Sequence, residues 1–218
     1  MHSVKVCISN SDMNRKIIFT IVAIGFIAIV IYNFRGTTFS TEGYAEKIMA
    51  ARQETNTTFK ASEDSPLTEE QKGEFESLSY FPVAEKYKVR AEYSRNQIEQ
   101  IVKINITDGS EREYYVHGSA HFHLEGKELD ITVYQPVEME EEYLFIPFYD
   151  RTSADLTYGG GRYVEPTLIG NSVLEIDFNL AYNPYCAYND KYRCPIPPQS
   201  NNLNVAILAG EKMPDFVH

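Results

Sequence analysis

The sequence contains no tryptophan and only three cysteines, and it is short of positive charge. Its 20 lysines and arginines face 31 aspartates and glutamates, which gives a net charge of −11. Four of the bases but only one of the acids fall within the first 35 residues, so the rest of the chain is still more acidic. An acidic surface repels phosphate backbones, and we therefore expect no nucleic-acid partner.

Familiar motifs for phosphates and metals are also missing. The segment Gly159–Arg162 holds three glycines but lacks the spacing of a P-loop. The acidic run Glu138–Glu142 lacks the pattern of a calcium-binding loop. His121 and His123 have a chelating spacing, but the apolar residues that alternate with them predict a face turned to solvent. We therefore predict no cofactor and no metal site.

One long apolar run is present, Ile17–Tyr32. Extended to residue 34, it approaches the ~20 residues that a membrane-spanning helix needs. Arg15 and Lys16 precede it, and basic residues of this kind are retained on the cytoplasmic side. No A-x-A cleavage site follows it, which favours an uncleaved signal anchor over a signal peptide.

The apolar run divides the chain into three predicted parts. Residues 1–16 form a cytoplasmic N-terminus, residues 17–34 a transmembrane signal anchor, and residues 35–218 a single extracytoplasmic domain. The expected location is the cell membrane, crossed once, with the C-terminal domain on the periplasmic side. The chain has two candidate starts, Met1 and Met13.

Helical periodicity follows the anchor. One helix is predicted before the Thr55–Thr58 run, which is expected to end it. Thr68 and Gln71 have the spacing of a capping box, so a second, short helix is expected over Glu69–Leu78.

From Tyr87 onward apolar residues alternate with polar ones, as in half-buried strands. Asp108-Gly109 and Gly126-Lys127 predict the turns of two hairpins, and further strands are expected at Tyr143–Phe148, Val173–Phe178 and Leu203–Ala209. We therefore predict a mainly β fold, an antiparallel sandwich or partly open barrel, preceded by the transmembrane helix and one or two short α-helices.

The stretch from residue 157 to 202 is the candidate functional region. It concentrates glycine, asparagine and tyrosine in a loop whose shape must matter. A small polar or sugar-like ligand is one interpretation, and loop architecture held by asparagines and a buried Arg–Asp pair is the other. The candidate ligand-binding residues are Tyr158, Arg162, Asp177, Asn179, Asn183 and Asn201, with Tyr163, Tyr182 and Tyr185 as further lining.

Cys186 and Cys194 are separated by seven residues within this loop. Outside the cytoplasm such a pair is a candidate disulfide. Two buried thiols are the second alternative. A metal or nucleophilic role ranks lower, because no further thiolate or histidine lies near them in the sequence.

Three functions remain open from the residues alone, and the weakest of them is a metal site that uses His121, His123 and a thiol or acid. The first is a membrane-anchored binding or structural module, since no catalytic constellation is recognisable. The second is a carboxylate-dependent hydrolase in which Asp150, Asp177 and Glu211 are candidate acid and base groups and Arg162 stabilises an anion. The oligomeric state is left open.

The most distinctive motifs resemble those of one known family, domain of unknown function 1684. The resemblance covers roughly Tyr44 to Lys212. It implies an extracytoplasmic bacterial protein, often attached to a membrane or a lipid, and it implies no activity. The matching segments are Ser65–Leu67, Leu78–Pro82, Phe148–Thr152, Thr157–Tyr163, Ile176–Tyr188, Cys194–Pro198, Asn201–Leu203 and Ala209–Lys212.

Overall fold

The computed structural model describes residues 43–139 and 143–214. Within those ranges no helix is both long and apolar enough to cross a membrane. The predicted signal anchor, residues 17–34, lies outside the described residues and stays a prediction.

Two α-helices come first in the described chain. Helix α1 covers residues 43–61 and helix α2 covers Glu69–Glu74. The predicted end of α1 at its threonine run is wrong, because Thr55 and Thr57 donate their hydroxyls to carbonyls one turn earlier and stay within the helix. The capping box of α2 is confirmed by reciprocal bonds between Thr68 and Gln71, although α2 ends before Leu78.

Eight strands follow, and every pairing between them is antiparallel. Six of them form one sheet in the order β2-β3-β1-β8-β7 with β4 also paired to β3, and β5 pairs with β6 separately. The mainly β, antiparallel class is confirmed, and the described strands do not close into a barrel. The strands are β1 (Lys88–Arg95), β2 (Ile101–Asn105), β3 (Glu111–Leu124), β4 (Lys127–Pro136), β5 (Ile146–Phe148), β6 (Arg162–Val164), β7 (Thr167–Ile169) and β8 (Val173–Asp177).

Both predicted hairpins are present. Strands β2 and β3 are joined through the Asp108-Gly109 turn, where Gly109 has a φ of 84°. The turn between β3 and β4 lies at Glu125 and Gly126, one residue earlier than predicted. Both residues have positive φ, 49° and 72°, as the tight hairpin turn that matches strand twist requires.

A β-bulge between Val116 and Gly118 changes which side of the sheet the alternate side chains of β3 face. Val116 pairs with Tyr134 and Gly118 pairs with the neighbouring Val133, so β3 carries one residue more than β4 at this point. Adjacent residues of a strand face opposite sides of a sheet. Tyr114, before the bulge, therefore faces the opposite side from the even-numbered residues after it.

This reversal gives the sheet two separate apolar clusters. The larger one takes the residues of β3 after the bulge, part of β1 and β4, and the C-terminal segment. The smaller one is aromatic and takes the residues before the bulge. Its buried members are Ile104, Tyr114, Tyr134, Phe145, Tyr163 and Cys194.

The predicted strand at Leu203–Ala209 is wrong in geometry, although its alternation is right. Leu203, Val205, Ile207 and Ala209 are buried, and the residues between them are exposed. The segment belongs to none of the eight strands. Leu203 and Val205 make main-chain hydrogen bonds with Tyr149 and Arg151. The part from Ile207 onward is held by side chains, which are described with the candidate site below.

Of the three consecutive glycines, only Gly161 has a positive φ, at 83°. A Cβ atom added there would lie 2.7 Å from the carbonyl oxygen of Phe148 and 2.7 Å from Pro197 Cγ. A Cβ atom at Gly159 would meet only Ala154, at an ordinary 3.4 Å. The close backbone approach in this motif therefore falls on its last glycine.

Gly161→Ala is expected to destabilise the protein by about 2 kcal/mol or more, because it combines a left-handed backbone with a clash against main chain. Gly159→Ala, two positions away, is the matched control and is expected to change stability by less than about 1 kcal/mol. Urea unfolding of the two variants measures the difference. Equal effects would contradict this account of the motif.

Candidate functional site

Arg162 lies at the centre of the candidate region and is 1% exposed. Its Nη1 donates to the carbonyl oxygens of Ala209, at 2.5 Å, and Glu211, at 3.2 Å. Its Nη2 donates to the carbonyl of Ile207 at 3.0 Å and lies 3.4 Å from a carboxylate oxygen of Asp150. The guanidinium thus binds three alternate carbonyls of one extended segment, as a neighbouring strand would.

Asp150 completes the same network and is also buried. One carboxylate oxygen accepts the backbone N–H of Ile207 at 2.7 Å, and both accept the hydroxyl of Thr152. Burial lowers the pKa of Arg162, and the charge of Asp150 opposes that shift. The buried Arg–Asp pair predicted as one alternative is therefore present, and it holds the C-terminal segment.

Two of the predicted asparagines act as substitutes for peptide groups. The side-chain amide of Asn179 accepts from the N–H of Ala84 and donates to its carbonyl, both at 2.9 Å. The amide of Asn201 makes the same exchange with Thr132 and also donates to Pro147. Both asparagines are fully buried, so these contacts fix loops to strands.

Asp177 caps a short 3-10 helix, Phe178–Leu180, by accepting the N–H and the side-chain amide of Asn179. Tyr158 is half-buried beside Cys186, and burial raises its pKa to about 12. Neither Asp177 nor Tyr158 lines the large cleft described next.

We call Arg162, Asp150, Asp177, Asn179 and Asn201, which hold loops and the C-terminal segment in place, the frame. A cleft of about 550 Å³ lies next to this frame. Its walls come from helix α1, the part of β3 before the bulge, the β5 region and the loop after β8. Three of the four tyrosines predicted to line a pocket do so, namely Tyr163, Tyr182 and Tyr185. The other aromatic lining residues are Phe59, Tyr80, Tyr114, Tyr143, Phe145 and Tyr192.

The aromatic walls carry hydroxyls at their rim. Tyr143 and Tyr182 both donate to the same carboxylate oxygen of Glu165, at 2.6 and 2.8 Å. Burial raises the pKa of Tyr143, Tyr163 and Tyr182 above the ordinary range, so these phenols stay protonated. The cleft therefore presents neutral ring faces with a few polar groups, the usual character of a small-molecule site.

Arg52 joins helix α1 to the inner part of the cleft. Its guanidinium donates to the carbonyl of Phe81 at 2.9 Å and to that of Asn179 at 3.1 Å. The same group lies 4.5 Å from the ring centroid of Tyr80, within cation–π range.

Glu211 and Asn183 lie at the inner end, because both line the cleft and are only 2% and 1% exposed. The N–H of Asn183 donates to Glu211 Oε2 at 2.9 Å, and the Asn183 side chain donates to the carbonyl of Lys212 at 2.7 Å. Glu211 Oε1 and Asn183 Oδ1 are buried without a hydrogen-bond donor among the described residues. Burial raises the pKa of Glu211 to about 8, although Asn183 and Arg162 lower it.

Cys186 and Cys194 are unbonded thiols in the structure, and Cys194 is buried while Cys186 is only partly so. The backbone N–H of Cys186 donates to the sulfur of Cys194 at 3.1 Å. The pKa of Cys194 is lowered by the neighbouring Cys186 thiol and by Arg112, while burial opposes this shift. Cys194 also lines the cleft.

The histidine pair lies away from the cleft. His121 and His123 contact Asp130 and Glu128 at about 3 Å on the exposed face of the sheet. Among residues 43–139 and 143–214, no cluster of three or more metal-ligating side chains was found.

The structure thus separates the predicted site residues into two groups. Arg162, Asp150, Asp177, Asn179 and Asn201 make structural bonds, and Asn179 also lines the cleft. Asn183 and Glu211 line the cleft at its inner end. Sequence reasoning missed Arg52, Tyr80, Arg112, Tyr143 and Glu165, which lie far apart in the chain and carry no shared motif.

Comparison with known proteins identifies the protein family of this chain. A family model described as a protein of unknown function, DUF1684, matches residues 73–212. The chain therefore belongs to this family. The comparison with curated proteins returned no match.

A solved structure also matches, the solution NMR structure of an uncharacterised protein of Haloarcula marismortui. It is 34% identical, and the match covers 79% of this chain and 96% of that chain with a TM-score of 0.63. The fold and the family are thereby established together.

Arg162→Lys is expected to destabilise the protein by about 3 kcal/mol, because an ammonium keeps the charge but cannot reach three carbonyls at once. Arg90→Lys is the matched control: Arg90 is 73% exposed and its ion pair with Glu175 is long, at 3.7 Å. That change is expected to cost less than about 1 kcal/mol. Thermal unfolding followed by circular dichroism compares them, and a near-neutral Arg162→Lys would refute the structural role.

Proposed function

We propose that the chain is a binding module that holds a small polar ligand in the aromatic cleft. The observation that carries the proposal is the cleft itself, about 550 Å³ lined by nine aromatic side chains of the described residues. Clefts of roughly 300–1,000 Å³ with mostly apolar walls and a few placed polar groups are typical of small-molecule sites.

The frame around the cleft supports a binding role. Arg162 and Asp150 fix the segment that carries Glu211, and Asn179 fixes the loop that carries Tyr182 and Asn183. A site held by buried, hydrogen-bonded side chains is preorganised, which lowers the entropy lost on binding.

The alternative, a carboxylate-dependent hydrolase, has less support. Asp150 and Asp177 are engaged in structural hydrogen bonds, and of the three candidate carboxylates only Glu211 lines the cleft. Among the described residues, the other carboxylate that lines the cleft is Glu165, which accepts hydrogen bonds from Tyr143 and Tyr182 at the rim.

Tyr143→Ala in the full-length protein is expected to weaken binding about tenfold, because it removes one ring from the cleft wall. Tyr115→Ala is the matched control, a half-buried tyrosine of β3 that does not line the cleft. Ligand-observed NMR with glucose, N-acetylglucosamine, maltose, glucosamine and glucuronate provides the measurement. Failure of every compound to bind the wild type would refute the proposal.

We also propose that residues 17–34 anchor this module at the membrane, with residues 35–218 on the extracytoplasmic side. The apolar run and the bases before it support this proposal. Two charges within the run, Ile24→Lys with Ile27→Lys, are expected to abolish membrane retention in cell fractionation. Ile98→Lys, at a residue 82% exposed in the described domain, is the control. Retention of the doubly charged variant would contradict the anchor.

A further inference from the structure

The inner end of the cleft contains two buried polar atoms without a hydrogen-bond partner. Among the described residues, neither Glu211 Oε1 nor Asn183 Oδ1 has one. A buried polar atom left without a hydrogen bond is destabilising, so native structures rarely retain one without a reason. Both residues line the cleft, so the two atoms belong to its inner end.

We infer that Glu211 and Asn183 together receive a hydroxyl group of an uncharged, sugar-like ligand at the inner end of the cleft. The inference rests on the proposed binding function and names the class of ligand. It assigns recognition to these two residues and leaves the other predicted polar residues in the frame.

The charges around Glu211 disfavour a cationic ligand. Arg162 acts directly on the Glu211 carboxyl, and Arg52 lies over the ring of Tyr80, whose backbone is bridged to that of Glu211. Asp150, the acid beside Arg162, is bonded to that arginine and to main chain. An ammonium group at this position would meet two guanidinium groups and a carboxyl that burial keeps protonated near neutral pH.

An anionic group at the inner end is disfavoured for a different reason. Arg52 and Arg162 already donate both of their Nη groups to backbone carbonyls. Neither therefore presents the two-pronged donor surface that carboxylates and phosphates bind. At the rim, Arg193 is paired with Asp108 at 2.9 Å.

A hydroxyl group matches the two unbonded atoms, Glu211 Oε1 and Asn183 Oδ1. It donates one hydrogen bond and accepts others, so it satisfies Asn183 Oδ1 as donor and a protonated Glu211 carboxyl as acceptor. The aromatic walls suit a ring with apolar C–H faces and polar edges. A compound with several hydroxyls on such a ring combines both properties.

The test uses the full-length protein and two matched pairs of compounds. N-acetylglucosamine is compared with glucosamine, and glucose with glucuronate, so that each neutral sugar has a charged counterpart. The inference predicts that the neutral member of each pair binds at least tenfold more tightly.

The pH dependence tests the role of Glu211. Affinity of the wild type for the neutral sugar is expected to fall about tenfold per pH unit above pH 8, because ionisation removes the donor and buries a charge. Glu211→Gln retains a neutral donor and acceptor, so it is expected to bind at every pH without this fall. Glu211→Leu is expected to bind at least tenfold more weakly, and Glu128→Gln, on the exposed face, is the control.

Thermal unfolding shows that each variant is folded, and it gives a second readout. Because the pKa of Glu211 is raised in the folded state, its contribution to stability is present below pH 4.5 and is lost progressively up to about pH 8. The stability of Glu211→Gln relative to the wild type is therefore expected to rise across that window.

The outcomes separate the inference from the proposed function. If neither neutral nor charged compounds bind, both fail. If the charged compounds bind more tightly, or if Glu211→Gln keeps the pH dependence of the wild type, the cleft is a binding site but the assignment to Glu211 and a hydroxyl group is overturned.

Discussion

The contact between Arg162 and three alternate carbonyls of the C-terminal segment is the constraint on which the rest of the structure depends. A strand neighbour would bind those carbonyls through its own main chain, but the segment from Leu203 to Ala209 belongs to no strand. The guanidinium takes that place, and Asp150 takes the N–H of Ile207. Because both groups are buried, the loss of either would leave an unpaired charge and unbonded main chain in the core.

This constraint also positions the cleft. Arg162 donates to the backbone carbonyl of Glu211, and the N–H of Glu211 donates to Ala181. The side chain of Glu211 is thereby set against the N–H of Asn183 at the inner end. The charged group that shapes the region and the group proposed to contact the ligand are therefore different residues, and the first acts through the backbone of the second.

Local signals in the sequence predicted local structure well. The two hairpins follow from Asp108-Gly109 and Gly126, and the capping box at Thr68 is present. The alternation of the C-terminal segment was also readable, but alternation reports burial and not the identity of the hydrogen-bond partner. The hydrogen bonds from Arg162 to this segment depend on the tertiary structure and leave no pattern in the sequence. The sequence alone therefore predicts a strand.

The cleft is harder to predict from the sequence than the hairpins, for a physical reason. Its walls depend on the bulge between Val116 and Gly118, which places Tyr114 on the opposite face of β3 from the even-numbered residues after the bulge. No sequence motif predicts this bulge. Arg52, on a helix more than a hundred residues before Asn183, has no neighbouring signal either. The asparagine- and tyrosine-rich loop is conspicuous in the sequence, yet most of its polar residues belong to the frame and make structural hydrogen bonds.

The location of binding is the central claim, and NMR of the full-length protein labelled with carbon-13 at its tyrosine rings tests it most directly. Resonances would be assigned by single Tyr→Phe substitutions and followed while N-acetylglucosamine is added. The account predicts shifts at Tyr143 and Tyr182, which line the cleft, and none at Tyr115, which does not. Shifts at Tyr115 with none at Tyr143 and Tyr182 would contradict it.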